Sequence, residues 1–250
     1  MLEEFNYVSY RQLLKLLRRT NENVTFNDLP LDNPAARYFI LRHDIDYSPE
    51  AALRMAQLEA DMGIRATYFL LLNTSYYNLL SEEYCGFPRR LIELGHDVGF
   101  HYDVAILSRF GKDRPVEILR AHVSMLEQLT RTPVRAIAMH NPSVSGEDPF
   151  RDHKEFLNAY NDESVKQGAY FSDSCGAWRR ETLSVLQGGS LPARIQLLIH
   201  PIFWDEQSAD QWTRLDNVVD ENISRLRKKV ANQKELWAKH PAVLQQTKRN

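Results

Sequence analysis

One histidine and two aspartates stand close together in the segment Arg42-His43-Asp44-Ile45-Asp46. Two carboxylates at this spacing raise the pKa of one of them unless a cation lies between them. Imidazole nitrogen and carboxylate oxygen are also the ligands that zinc and other first-row divalent metals take from proteins. The segment therefore indicates either a metal site or an ordinary ion-paired turn.

Other predicted strands also end in residues that could bind a metal. The segments "FHYD", "AMH", "SDS" and "LLIH" each close an apolar run, and they contain His101, Asp103, His140, Asp173 and His200. A single histidine at a strand end is usually structural. Repetition at corresponding ends favours one shared pocket instead, because the carboxyl ends of parallel strands converge on one face of an α/β barrel.

Histidine and carboxylate together suit catalysis with a divalent metal. A catalytic zinc takes three protein ligands and keeps a fourth position open for water, whose pKa it lowers. A second carboxylate can then accept the proton of that water, and a histidine across the pocket can protonate the leaving group. Asp44 and Asp46, two positions apart, fit this division between base and ligand.

The elements that must position these residues alternate between strands and helices. Strands are predicted at "RYFILRHD", "RATYFLLL", "HDVGFHYD", "VRAIAMH", "GAYFSDS" and "RIQLLIHP". Helices are predicted at residues 9–19, 48–63, 114–130 and about 210–239, near 151–164, and in a segment that Gly95 ends. This alternation implies right-handed crossovers and a parallel sheet, and the number of units favours a barrel over an open sheet.

Two of the predicted helices begin with capping residues. Ser9 and Gln12 match a capping box, in which both side chains bind backbone N–H groups of the first turn. Ser48 followed by Pro49 matches an N-cap and the first helical position. These pairs place the first helix at residue 9 and the second at residue 48.

Composition narrows the functional class. A hydrophobic content of 43% and a charged content of 26% are typical of soluble globular proteins, and 250 residues suffice for one large domain. The net charge is −2, whereas nucleic-acid-binding proteins are typically basic, so this class is not indicated. The longest apolar runs are too short to span a bilayer, and the first residues do not resemble a signal peptide, so we expect a cytoplasmic protein. Cys85 and Cys175 lack the spacing of a cysteine-rich zinc site.

Four segments give the chain a resemblance to a known family. In order they are "LRHDID", "RATYFLL", "LIELGHDVGFH" and "IQLLIHP", and they resemble motifs of the NodB-homology polysaccharide deacetylases, carbohydrate esterase family 4. The first motif, Asp-x-Asp, is similar to a branch that includes deacetylases of O-antigen and surface-polysaccharide assembly. The resemblance implies a single-domain irregular (β/α)7 barrel over residues 1–250, with the motifs at about 38–203 and helices at both ends. It also implies metal-dependent removal of an N-acetyl group from an amino sugar.

The resemblance assigns roles to individual residues. It implies that Asp44 is the catalytic base, Asp46 and His101 bind the metal, and His200 is the acid that protonates the leaving group. Asp173 and Trp178 match the segment that lines the pocket and supports this histidine. His96 occupies a family position that we interpret as structural. We also expect Arg42, Tyr102 and Trp204 near the substrate, with Trp178 and Trp204 stacking on a sugar ring.

The sequence departs from the family pattern at two places. Ala105 occupies the position of the second metal-binding histidine, and "MHNPS" replaces an arginine-proline motif. His140, at the end of the adjacent strand, is our candidate for the third ligand of a divalent metal, expected to be zinc, with His43 and Asp103 in reserve. A site with two ligands is a further alternative. It would leave a carbohydrate-binding or assembly protein, whereas a complete site could also hydrolyse a different C–N bond.

Overall fold

A computed structural model describes residues 3–30, 32–111, 113–151, 153–160 and 168–239. The chain divides into two compact units, one up to residue 211 and one from residue 212. The first unit holds the sheet and every candidate site residue. The described part of the second unit is a single helix. The assignment of the whole chain to one domain stays a prediction.

In the described residues of the first unit, eight parallel strands form one sheet. They are β1 (Glu22–Val24), β2 (Tyr38–Ile45), β3 (Thr67–Leu70), β4 (Asp97–Tyr102), β5 (Ala136–Met139), β6 (Leu157–Asn158), β7 (Ala169–Ser172) and β8 (Arg194–Ile199). The hydrogen-bonded order is β6-β5-β4-β3-β2-β8-β7. β1 pairs with the first half of β2, and β3 pairs with its second half. This curved sheet with surrounding helices confirms the irregular (β/α)7 barrel.

Eight α-helices accompany the strands in the described residues. They are α1 (Tyr7–Leu17), α2 (Pro49–Asp61), α3 (Phe87–Glu93), α4 (Val104–Gly111), α5 (Pro115–Thr130), α6 (Pro142–Ser145), α7 (Arg180–Gln187) and α8 (Gln211–Lys239). Short 3-10 turns follow β7 and β8. The predicted start of α2 is confirmed, because the Ser48 side chain accepts a hydrogen bond from Ala51 N and Pro49 is the first helical residue.

Two local predictions are wrong, and one helix was not predicted. α1 begins earlier than predicted, because Asn6 rather than Ser9 is its N-cap and its side chain accepts a hydrogen bond from Ser9 N. Residues 153–160 are turns and the short strand β6 instead of the predicted helix, whose remaining part lies largely outside the described residues. Helix α4 was not predicted.

Successive side chains along β2 lie in two different environments. Side chains of successive strand residues point to opposite faces. Tyr38 and Ile40 belong to the apolar core inside the barrel, together with Phe69 of the neighbouring strand. A side chain at Gly99 would collide with the Phe69 ring, whose nearest atom would lie 2.5 Å from the added Cβ. The interior is therefore closely packed below the carboxyl ends of the strands, where the candidate residues lie.

Candidate metal centre and catalytic residues

Three donor atoms converge at the carboxyl ends of β2, β4 and β5. Asp46 Oδ1 lies 3.3 Å from His101 Nε2 and 3.2 Å from His140 Nδ1, and the two imidazole nitrogens are 3.2 Å apart. Tetrahedral zinc with bonds of about 2.0–2.1 Å requires ligand atoms roughly 3.3 Å from one another. The three side chains thus form a candidate metal site with spacings that fit a small divalent ion.

Asp46 has the character of a ligand that needs a cation. Its side chain is 13% exposed, and the buried Oδ1 atom has no hydrogen-bond partner among the described residues. A buried oxygen without a partner carries a desolvation cost that a bound cation would remove. Burial acts to raise the pKa of Asp46, but His101 and His140 outweigh it, and the net pKa is lowered. The carboxylate is therefore ionised and faces both imidazoles.

His101 is held in the tautomer that metal binding requires. Its Nδ1 atom lies 2.9 Å from the carbonyl oxygen of Ala138, so Nδ1 carries the proton and donates it. In the neutral ring this leaves a lone pair on Nε2, which points toward Asp46 and His140. A carbonyl that fixes the ligand tautomer is the usual arrangement behind a metal-binding histidine.

Metal binding by His140 depends on the orientation of the neighbouring Asn141 amide. Its Nδ1 atom can bind a metal only when Nε2 carries the proton. The side-chain amide of Asn141 contacts Nε2 at 2.8 Å, and an amide can present either its oxygen or its nitrogen to the ring. Metal binding therefore needs the Asn141 oxygen to face Nε2. Burial acts to lower the pKa of His140, but Asp46 outweighs it and raises the pKa, so this place favours a positive charge.

Asp44 lies beside the candidate metal site and pairs with Arg42. The guanidinium donates two hydrogen bonds, from Nε to Oδ1 at 2.8 Å and from Nη2 to Oδ2 at 2.7 Å. The second of these oxygens is 3.7 Å from His101 Nε2. Burial opposes ionisation of Asp44, but Arg42 outweighs it and lowers the pKa. Arg42 is fully buried below the Tyr160 ring, so it orients Asp44 and is not available to a substrate.

His200 stands at the end of β8 and is held by Asp173. The carboxylate accepts the Nδ1–H of His200 at 2.7 Å, the backbone N–H of His200 at 3.0 Å and the indole N–H of Trp204 at 2.8 Å. Burial acts to lower the pKa of His200, but Asp173 outweighs it and raises the pKa to about 9. Because Nδ1 is bound to Asp173, Nε2 is the atom that can donate a proton to a substrate.

Both reserve ligands have other partners. The His43 side chain points to the opposite face of β2, where Nε2 contacts Glu59 Oε1 at 2.8 Å and Nδ1 contacts the Ile199 carbonyl. Asp103 Oδ1 accepts the backbone N–H of Ala105 at 2.8 Å and thus caps helix α4. Neither belongs to the group of converging donor atoms. Ala105 itself lies in the first turn of that helix.

The residues expected near the substrate occupy supporting positions. Trp204 is 1% exposed, and its N–H is bound to Asp173, so it is not available to stack on a sugar. Trp178 is half-buried and stacks on Phe5, with ring centroids 5.8 Å apart. Tyr102 is fully buried and donates its hydroxyl proton to Asp148. His96, interpreted as structural, is buried with Nε2 2.9 Å from the Ala56 carbonyl.

An open cavity of about 420 Å³ adjoins the candidate metal site. Asp46 and His140 form part of its lining, and Tyr47 and Tyr76 form an aromatic wall beside them. The sequence analysis assigned no role to Tyr47 or Tyr76. Tyr47 directly follows Asp46 in the sequence, and this position could have identified it as a residue near the site. No comparable signal marks Tyr76, which lies in the long connection after β3.

The chain is similar to known proteins among the solved structures. No family model matches the chain, and no curated protein matches it. The solved structures to which it is similar include polysaccharide and peptidoglycan deacetylases and other proteins of carbohydrate esterase family 4. Within the described residues, no helix is both long enough and apolar enough to cross a membrane.

Three of these structures show the extent of the similarity. The peptidoglycan deacetylase PdaC from Bacillus subtilis is 18% identical, with a TM-score of 0.44 over 83% of this chain and 98% of that one. A family 4 carbohydrate esterase from Bacillus anthracis is 14% identical, with a TM-score of 0.41 and 86% of each chain covered. A family 4 pseudoenzyme from Bacillus anthracis is 14% identical, with a TM-score of 0.42 over 77% of this chain. This chain spans 63% of that protein's length.

Proposed function

We propose that this protein is a metal-dependent deacetylase that hydrolyses the N-acetyl group of an amino sugar. The observation that carries the proposal is the set of three donor atoms of Asp46, His101 and His140, spaced 3.2–3.3 Å apart. An ionised carboxylate, Asp44, lies beside them. A histidine with a raised pKa, His200, lies at the neighbouring strand end. Ligand, base and acid are thus separate groups at one end of the barrel.

Zinc is the proposed metal, because two histidines and one carboxylate leave the open fourth position of catalytic zinc sites. When bound there, it would polarise the amide carbonyl and lower the pKa of water. His140 fills the ligand position that Ala105 leaves open, so the replacement at Ala105 does not reduce the set to two.

Asp44 is suited to accept the proton of the attacking water. It is ionised, and each carboxylate oxygen keeps a lone pair beyond the one that Arg42 occupies. The bond to Arg42 fixes its direction but lowers its basicity, since the guanidinium favours the charged form. The water oxygen bonds to the carbonyl carbon while its proton passes to Asp44.

His200 is suited to protonate the departing nitrogen. Asp173 holds Nδ1 and keeps the ring charged near neutral pH, so the proton on Nε2 is available when the C–N bond breaks. The products are acetate and the free amine of the sugar. Asp173 acts through His200 and is a positioning residue.

Acetate release from an N-acetylglucosamine oligosaccharide tests the proposal. The chelated protein should be inactive and should recover with one equivalent of zinc. Asp44→Asn should reduce turnover by about 10²–10⁴-fold, as loss of a general base does, whereas the exposed Asp32→Asn should not. Turnover that survives chelation would exclude this mechanism. Zinc-independent binding of the glycan without acetate release would favour a carbohydrate-binding protein, and release of formate or ring opening of a cyclic amide would favour another C–N bond.

We also propose a pathway and a cellular location for this activity. A place in surface-polysaccharide assembly, such as that of O-antigen, rests on the resemblance of the Asp-x-Asp motif, and a cytoplasmic location rests on sequence features alone. The acetyl content of the surface glycan in a strain that lacks this chain would test the first. Subcellular fractionation would test the second.

A further inference from the structure

Helix α8 carries an apolar stripe of exposed side chains along its length. The members of the stripe follow one another at intervals of seven, four, three, four and seven positions: Trp212, Val219, Ile223, Leu226, Val230 and Trp237. Residues at such intervals lie on one face of a helix. The four central side chains are 39–58% exposed, whereas Arg214 and Val218 are the buried residues of the helix. An exposed stripe of this length is typical of an interaction surface.

The intervals along the apolar stripe are those of a coiled coil. Alternating steps of three and four residues define the core positions a and d, whose side chains pack into the spaces between side chains of a facing helix. The stripe fills these positions from residue 212 to residue 237, except that Asp216 occupies one a position and Gln233 one d position. Polar residues at core positions fix the register of a coiled coil. Asp216 and Gln233 therefore restrict which partner helix can fit.

The stripe is complementary to a second copy of itself that runs in the opposite direction. A two-fold axis between residues 224 and 225 places opposite each other the residues that are equally far from it. The core layers are then Trp212 with Trp237, Asp216 with Gln233, Val219 with Val230, and Ile223 with Leu226. Each apolar side chain meets an apolar one, and the Asp216 carboxylate meets an amide that can donate to it.

Other registers do not match the polar positions. A shift of the second copy by one heptad in one direction would place Asp216 opposite Leu226. The opposite shift would place Gln233 opposite Ile223. In both cases a buried polar group would face an apolar side chain, which costs free energy because its hydrogen bond is lost. The register centred between residues 224 and 225 is therefore favoured.

Charges beside the apolar stripe favour the antiparallel direction. In that direction the e positions of the two helices lie side by side, which brings Asp220 of one copy to Arg227 of the second copy. The two-fold axis generates this pair of opposite charges twice. A parallel pair would instead place Lys229, at a g position, beside Lys234 at the facing e position. Like charges in such positions disfavour association.

We propose that α8 is a self-association surface through which two copies of this chain form an antiparallel helix pair. The occupant is a second copy because the layers and the flanking charges are complementary about one two-fold axis, as the interface of a symmetric dimer requires. Long helices gain most of their stability from packing of an apolar face, so association also stabilises α8. The inference concerns α8 alone and does not rest on the metal site or on the proposed reaction.

Sedimentation velocity of the full chain over a range of concentrations measures the association. We expect a concentration-dependent dimer. Leu226→Asp should raise its Kd about 10²–10⁴-fold, because the symmetry removes two buried apolar side chains from each dimer. The matched variant Ala231→Asp adds the same charge at an exposed position outside the stripe, and its Kd should stay within about threefold of the wild type.

A charge exchange tests the antiparallel pairing of the flanking residues. Asp220→Arg and Arg227→Asp should each raise Kd about tenfold, since each places like charges together at two sites in the dimer. The double variant restores opposite charges and should recover most of the wild-type affinity. Circular dichroism controls for folding of each variant.

Distances between nitroxide labels, measured by pulsed electron spin resonance, give the direction of the two helices. The labels are attached through Ser224→Cys or Ala238→Cys in a chain that also carries Cys85→Ser and Cys175→Ser, because both native cysteines are exposed. With a rise of 1.5 Å per residue, the antiparallel pair predicts a short distance at 224 and one of about 40 Å at 238. A parallel pair predicts short distances at both positions and would contradict the proposal.

Two further results would overturn the proposal. A chain that remains monomeric at every concentration shows that a second copy does not cover the stripe, and co-sedimentation of this monomer with anionic vesicles would assign the stripe to a membrane surface instead. A dimer whose Kd is unchanged in Leu226→Asp has its interface on another part of the chain.

Discussion

Residues at the end of β2 differ in role because they alternate between two faces. Arg42, Asp44 and Asp46 share the face that points into the barrel, whereas His43 points outward to Glu59. A period of two is intrinsic to a strand. Applied to "RHDID", this period is enough to exclude His43 as a partner of the two aspartates from the sequence alone.

At this scale, Asn141 should control metal affinity through His140. If the amide oxygen accepts the Nε2 proton, Asn141→Asp keeps an acceptor and should retain or raise zinc affinity. Asn141→Ala should lower it about 10–100-fold, as loss of a residue behind a metal-binding histidine does. Competition with a zinc indicator measures the Kd. Ser143→Asp, an exposed nearby substitution, controls for the added charge. An Asn141→Asp protein that binds zinc as weakly as Asn141→Ala would show that the amide donates.

His200 should titrate far above an ordinary histidine in the metal-free protein. NMR should report a pKa of about 9, because Asp173 stabilises the charged ring more than burial destabilises it. Since the folded pKa is raised, the stability that this pair contributes is complete below about 6.5, the ordinary histidine value, and is lost as pH rises through about 9. Asp173→Asn should bring the pKa down toward 6.5.

The same spectrum contains an internal control for this prediction. Burial lowers the pKa of His122, so its ring should titrate below 6.5 in both proteins. Titration of His200 near 6.5 in the wild type would contradict the proposed role of Asp173. A value near 9 that persists in Asp173→Asn would contradict it equally.

At the scale of elements, helix α2 is joined to the strands by a buried ionic network. Glu59 is fully buried, accepts hydroxyl protons from Tyr10 and Tyr68, and contacts His43. Burial opposes ionisation of Glu59, but His43 outweighs it and lowers the pKa. Since His43 also contacts the Ile199 carbonyl, the network connects α1, α2, β2, β3 and β8.

Removal of the Glu59 carboxylate should destabilise the whole barrel. Glu59→Ala should lower the free energy of unfolding by about 3–5 kcal/mol, because it leaves buried polar groups without a partner. Glu59→Gln should cost less, since an amide oxygen can still accept a hydroxyl proton. Urea unfolding measures both. The exposed Glu82→Ala should stay within about 0.5 kcal/mol of the wild type. A Glu59→Ala protein as stable as that control would contradict a structural role for the network.

Elements with a complete local signal were predictable, and those that depend on tertiary contacts were not. Ser48 and Pro49 mark the start of α2 correctly. Asp103 was interpreted as a reserve ligand, yet an aspartate before an apolar run is also a helix cap, and that alternative would have predicted α4. β6 has two residues, and it forms because it pairs with Ala136 and Ile137 of β5. So short a strand has no period of its own in the sequence.

The candidate metal site depends on the arrangement of the whole barrel. Asp46, His101 and His140 come from three strands, and only the parallel sheet brings their ends together. Strand-end chemistry predicted these members, because the fold class itself directs such ends to one face. The cavity wall was less predictable, since Tyr76 lies in an irregular connection whose position is set by hydrogen bonds to Thr74 and Ile45.

An anomalous-scattering map of the crystallised protein, recorded across the zinc absorption edge, tests the central claim most directly. We expect one zinc per chain, bound by Asp46 Oδ1, His101 Nε2 and His140 Nδ1 at about 2.0–2.2 Å. An Asp46→Asn crystal grown with the same zinc concentration is the matched control and should lose most of that peak. A wild-type crystal with saturating zinc but no peak among these three residues, or with a peak only elsewhere, would contradict the account.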